Sequence, residues 1–116
     1  MSDTPYPALT QAISQSLAPY RKSQPATMQG FGAMAQGAMA AGALSEKHKE
    51  LIALAIGVSQ RCAGCIGFHV KALRRLGCTQ AEFEETLNVA VYMGGGPALM
   101  YAAEALQAWA QFAPKE

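Results

Sequence analysis

Apolar residues recur along this chain at intervals of three and four, the period of a helix, and nowhere in the alternation that marks a half-buried strand. Leu9, Ile13 and Leu17 repeat every four residues in ALTQAISQSLAPY, which predicts a short amphipathic helix ending near Pro19. Arg21 to Gln24 reads as a polar connector, and Pro25 suits the first turn of a second helix ending near Gly42. Gly30, Gly32 and Gly37 each cost that helix about 1 kcal/mol relative to alanine, so it is expected to form only by packing closely against others.

Ser45 is placed to cap a third helix running to about Gln60. Leu51, Leu54, Ala55 and Val58 make one apolar stripe on it while Ile52 and Ile56 make another, so it is expected to be the central helix. On the side carrying Glu50 the next residues are Ala53 and Gly57, small enough to let a neighbouring helix approach the carboxylate. A fourth helix is predicted over Ala63 to Leu76, with Gly77 placed for a left-handed cap. Thr79 and Glu82 form a TxxE capping box for a fifth, whose apolar face is Phe83, Leu87, Ala90 and Val91. Gly94, Gly95 and Gly96 are expected to stop it, and Pro97 to start a sixth. That last helix is apolar nearly all round with Glu104 as its only charge, so one side should pack inward and another against a second subunit. The reading is an all-α, single-domain bundle of about six helices spanning residues 1–116.

Composition sharpens the expectation of assembly. With 116 residues, one domain can bury on the order of 65% of its unfolded surface. Hydrophobic residues are 51% of the chain and charged ones 15%, against about 25% in ordinary soluble domains. Too little polar surface is left for a monomer, and an obligate oligomer is expected. The net charge of +1 gives no reason to expect nucleic acid or an anionic membrane as partner. The start, MSDTPYPAL, lacks the basic and apolar segments of a targeting signal, and the apolar run Leu51 to Val58 falls far short of the roughly 20 residues of a membrane span. A cytoplasmic location is expected. Three cysteines in such a chain favour a catalytic or metal-binding pair over a structural disulfide framework.

The candidate chemistry lies in Cys62, Cys65 and His69, a CxxCxxxH pattern, with Glu50 preceding it across an almost uncharged apolar run. On a helix Cys65 lies roughly 60° from Cys62 and His69 returns to within about 20° of it, so the three share one face. Cys62 falls at or just before the first turn, where free N–H groups and the helix dipole stabilise an anion. In such places a cysteine pKa can drop from about 8.5 to about 3.5 to 7.5, and the thiolate is the reactive form. Zinc is the competing reading, with Cys62, Cys65, His69 and Glu50 as nominal ligands, although ligands on consecutive helical turns close a tetrahedron with difficulty. Cys78 reads as a small buried hydrophobe. Lys47, His48 and Lys49 read as an exposed charged turn, and Lys71, Arg74 and Arg75 as a helix C-terminus and solvated face.

KELIALAIG, then CxxCIxxH, an ALRRLG helix end, a capped helix and a GGGP turn together resemble the carboxymuconolactone decarboxylase superfamily in its alkylhydroperoxidase D-like branch, over roughly residues 40 to 110. The resemblance implies an all-helical fold assembled as a homotrimer or homohexamer, and a peroxidase that reduces alkyl hydroperoxides. It implies Glu50, Cys62, Cys65 and His69 as catalytic residues, Cys62 and Cys65 cycling through a disulfide, and Cys65 as the peroxide-reactive sulfur, whereas the dipole argument favours Cys62. Electrons would come from a dithiol or lipoyl-type donor, with a peroxiredoxin as partner and no cofactor or metal. Members named for the decarboxylase often lack the cysteine pair, so the pair favours redox chemistry. The alternatives are a lactone decarboxylase-like lyase indifferent to both cysteines, a zinc-stabilised module, and a non-catalytic helical oligomer that senses redox state.

Overall fold

Side-chain caps from Ser45 and Thr79 start two of the helices. In the computed structural model, which describes residues 3–115, the Ser45 hydroxyl accepts the His48 N–H at 3.1 Å. Thr79 Oγ1 accepts the Glu82 N–H (3.1 Å) while the Glu82 carboxylate accepts the Thr79 N–H (2.9 Å), completing the predicted capping box. The described residues form five helices, α1 Tyr6–Ser23, α2 Pro25–Met39, α3 Glu46–Ser59, α4 Ala63–Arg75 and α5 Gln80–Gln111.

Counted continuously there are five helices where six were expected, because α5 runs through a kink at the GGGP turn, where one helix was expected to stop and the next to start. Gly95 takes φ 70°, ψ −154°, a conformation open in practice only to glycine, and helical geometry resumes at once on its far side. The GGGP run therefore breaks the helical geometry at the expected place, and α5 is two helical segments joined across that kink. Pro19 lies inside α1 and does not end it. Its ring removes one hydrogen bond, and the carbonyl left open, that of Gln15, lies on an exposed stretch where water can serve it. α2 stops at Met39, short of Gly42.

α3, α4 and α5 enclose the core, in which Leu54, Val58, Ile66, Leu73 and Phe83 are fully buried. α1 crosses α4 where Gly67 permits it, since a Cβ there would lie 2.7 Å from the Thr10 methyl. The buried residues of α1 are Tyr6 and Thr10, while Leu9, Ile13 and Leu17, its expected apolar stripe, stay half-buried. Tyr6 donates its hydroxyl to Glu104 and its N–H to Gln111, both at 2.6 Å, tying the start of the chain to the end of α5. Burial, aided by the Glu104 carboxylate, holds the Tyr6 phenol well above its usual pKa. Arg74 departs from the solvated face expected of it. Its guanidinium donates twice to the Trp109 carbonyl (3.1 and 2.6 Å) and lies 3.5 Å over the indole, whose other contact is the stacked Phe83 ring.

α2 has no buried residue in the single chain, and Phe31 and Met34 are 61% and 63% exposed. It contacts only α1 and α3, and the radius of gyration of 14.6 Å exceeds the roughly 13 Å of a compact chain this long. The close packing its glycines call for is not met within one copy.

Two consequences of the capping box can be measured. Thr79→Ala should lower stability by about 1 kcal/mol in urea unfolding. The Lys47 ammonium (2.7 Å), followed by the Thr79 N–H, holds the Glu82 carboxyl down to about 2. A carboxyl with a depressed folded value stabilises the fold above its ordinary value of 4.5 and loses that contribution as pH falls towards 2. Glu82→Gln should flatten the stability profile in that window and leave its shape unchanged above it.

Candidate functional site

The link from α3 to α4 is a two-bond helix stop. The Arg61 N–H donates to the Val58 carbonyl (3.2 Å) and the Cys62 N–H to the Gly57 carbonyl (3.0 Å). The end of α4 repeats the pattern, with Gly77 donating to Arg74 (3.2 Å) and Cys78 to Leu73 (3.0 Å). Both motifs need a left-handed residue, and at α4 it is Gly77, as predicted, with φ 72°. At α3 it is Arg61, with φ 58°, which for a residue bearing a Cβ costs roughly 1–2 kcal/mol. Sequence reasoning missed this residue. The available signal was a helix stop between Val58 and Cys62 containing neither glycine nor asparagine.

That turn delivers Cys62 as the N-cap of α4, where its sulfur accepts the Cys65 N–H at 3.2 Å. Cys62 and Cys65 are joined as a disulfide, with Cα atoms 5.2 Å apart and both residues half-buried. Cys65 then turns into the seam with α3. A Cβ on Gly57 would lie 3.1 Å from the Cys65 Cβ, so this glycine sets how closely the helices meet, as its small size predicted. Two turns back along α3 and one turn on along α4, His69 Nδ1 lies 2.6 Å from Glu50 Oε1. Glu50 is 8% exposed, while His69 is half-buried.

All four predicted residues thus line one antiparallel seam, the disulfide at one end and the acid–imidazole pair at the other. Among the described residues no hydrogen bond joins a sulfur to Glu50 or His69. The offset between them is four residues along α4, a rise of roughly 6 Å. Facing an ionised carboxylate, Nδ1 must be the donor, and in that tautomer a neutral ring would present Nε2 as an acceptor. No cluster of three His, Cys, Asp or Glu side chains with metal-binding geometry occurs among the described residues. Cys78 stands apart, 7% exposed, its thiol donating to the Thr79 carbonyl (3.4 Å) and pushed up in pKa by burial, which suits the structural part expected of it.

The sequence matches the family described as "Carboxymuconolactone decarboxylase family" over residues 25–108. The chain belongs to the carboxymuconolactone decarboxylase family. The match begins earlier than the roughly residue 40 suggested by the motifs and so includes α2. The fold is similar to the crystal structure of apo-lpg0406, a carboxymuconolactone decarboxylase family protein from Legionella pneumophila, with TM-score 0.92 and 51% identity over 94% of this chain and 97% of that one. Two relatives, both uncharacterized, are a protein of Cupriavidus necator, 36% identical over 81% of this chain and 83% of its own, and protein 4 in the cox locus of Paracoccus denitrificans, 40% identical over 66% and 68%. No helix among the described residues is long and apolar enough to cross a membrane.

The turn carries its own test. Arg61→Gly should raise the urea midpoint, by an amount corresponding to about 1 kcal/mol, because only the left-handed strain is removed. A lowered midpoint would mean that the arginine side chain stabilises the fold through contacts that outweigh that strain.

Proposed function

We propose that this family member is a dithiol peroxidase, reducing alkyl hydroperoxides as Cys62 and Cys65 cycle between thiols and disulfide. The observation that carries the reading is the Cys62–Cys65 pair at the start of α4 with the Glu50–His69 pair on the same seam. In the reduced enzyme, Nε2 of His69 takes the Cys65 thiol proton, and the thiolate attacks the terminal peroxide oxygen. The O–O bond breaks, Cys65 becomes a sulfenic acid, and the departing alkoxide takes the proton from His69 and leaves as an alcohol. The Cys62 thiol then displaces water from the sulfenic acid to form the disulfide, and a dithiol or lipoyl-type donor returns two electrons and two protons. Glu50 holds the imidazole in the tautomer that makes this possible, a more indirect part than direct acceptance of the thiol proton. Cys65 is chosen as attacking sulfur because it lies one helical turn from His69 and faces the seam, while Cys62 is engaged as the cap.

The same reading takes the active form to be a cytoplasmic homotrimer or homohexamer, with a peroxiredoxin as a candidate partner. Its support is the unburied α2 together with the exposed Ile52, Ile56, Val89 and Met100. Light scattering should give three or six chains, and Phe31→Asp with Met34→Asp should reduce that number; a concentration-independent monomer contradicts the proposal.

The family's name favours a second reading, a lactone decarboxylase or related lyase. Steady-state consumption of an organic hydroperoxide with a dithiol reductant separates the two. Cys62→Ser and Cys65→Ser should each abolish turnover, with a sulfenic acid trapped in Cys62→Ser and not in Cys65→Ser, and Glu50→Gln or His69→Asn should slow disulfide formation about a hundredfold or more. Lactone turnover that survives replacement of both cysteines would make the lyase the better account.

A further inference from the structure

Every acidic residue of the chain lies outside Leu51 to Ala81, while that segment carries Arg61, Lys71, Arg74 and Arg75. Two of these are engaged away from the disulfide, Arg74 with the Trp109 carbonyl and ring and Arg75 at 3.6 Å from Glu46. Lys71 is exposed on α4, two residues past His69 and away from Cys62. Arg61 is different. It immediately precedes Cys62, is exposed, and makes no ion pair among the described residues. It also occupies a left-handed position that the chain gives to glycine in the equivalent turn before Cys78. An exposed arginine in a conformation that disfavours it, one residue before a cysteine of the pair and with no ion pair of its own, is a charge available to an incoming molecule.

We infer that Arg61 selects the electron donor, favouring dithiols that carry a carboxylate over neutral ones. The inference rests on the reading that a dithiol reopens the disulfide. In that step the donor's thiolate bonds to one sulfur, the Cys62–Cys65 bond breaks and its electron pair leaves on the other. The donor's second thiol then displaces the bound cysteine, two protons are taken up by the released thiolates, and the donor departs as its own disulfide. In general, a cation raises the local concentration of a singly charged anion about 8 Å from it in water roughly twofold, more where low-dielectric walls flank the pair and less in salt.

Dihydrolipoate and dihydrolipoamide differ only in a carboxylate against an amide, so the ratio of their rates isolates that charge. The oxidised full-length protein, prepared with diamide so that no peroxide step is involved, is reduced by each and the free thiols are followed by stopped flow. The wild type should favour the carboxylate about two- to fivefold at low ionic strength, and the ratio should shrink with added salt. Arg61→Asn, which tolerates the left-handed backbone, should bring the ratio to about one, and Arg61→Lys should keep it. A wild-type ratio of one, or a ratio unchanged in Arg61→Asn, overturns the proposal. A clear ratio alongside failure of hydroperoxides to oxidise the thiols would leave this inference standing and remove the peroxidase reading instead.

Discussion

The close approach of α3 to α4 is the constraint on which the site depends. Gly57 lets the Cys65 Cβ settle against α3, and the same antiparallel alignment brings Glu50 to 2.6 Å from His69. A Cβ at 57 would meet the Cys65 Cβ at 3.1 Å, so a larger residue there requires the two helices to give by a few tenths of an ångström at that point. The disulfide and the hydrogen-bonded pair lie along this one seam. Around the seam, α1 covers α4 at Gly67 and Arg74 pins α4 to the end of α5, so the helix bearing the cysteines is held on three sides.

Much of this was legible in the sequence because short-range rules govern it. The Ser45 cap, the Thr79–Glu82 box and the Gly77 turn each depend on residues within one helical turn, and each is found as read. The positions of Glu50, Cys62, Cys65 and His69 followed from helical periodicity together with the resemblance to the family. Other features were not legible because they depend on distant partners or on balances that no local pattern carries. Tyr6 is buried in the core and donates its hydroxyl to a carboxylate near the far end of the chain, and Arg74 turns from solvent because Trp109 offers both a ring and a helix-end carbonyl. The continuation past Pro19 turns on whether a lost hydrogen bond can be met from solvent, which residue identity alone leaves open. Arg61 sits where a local rule would place glycine, and such exceptions are where function tends to override propensity.

α2 shows the limit of a single chain as the unit of folding. An uncharged helix with three glycines and no buried residue has too little packing to stabilise it alone. Its inclusion in the region matched by the family indicates that it belongs to the shared architecture. In the proposed oligomer a covering surface from other copies would reconcile its composition with its exposure, and the low charge content of the whole chain fits that proposal.

The central claim is that Cys62 and Cys65 form a reversible redox pair that responds to hydroperoxide. The most direct test is a free-thiol count by peptide mass spectrometry on the reduced protein, before and after a stoichiometric pulse of an organic hydroperoxide and again after a dithiol reductant. The account predicts loss of two thiols, at Cys62 and Cys65 alone, linked to each other and fully recovered by the reductant, with Cys78 unmodified throughout. Three thiols that remain reduced, or slow oxidation beyond the disulfide without recovery, would contradict it.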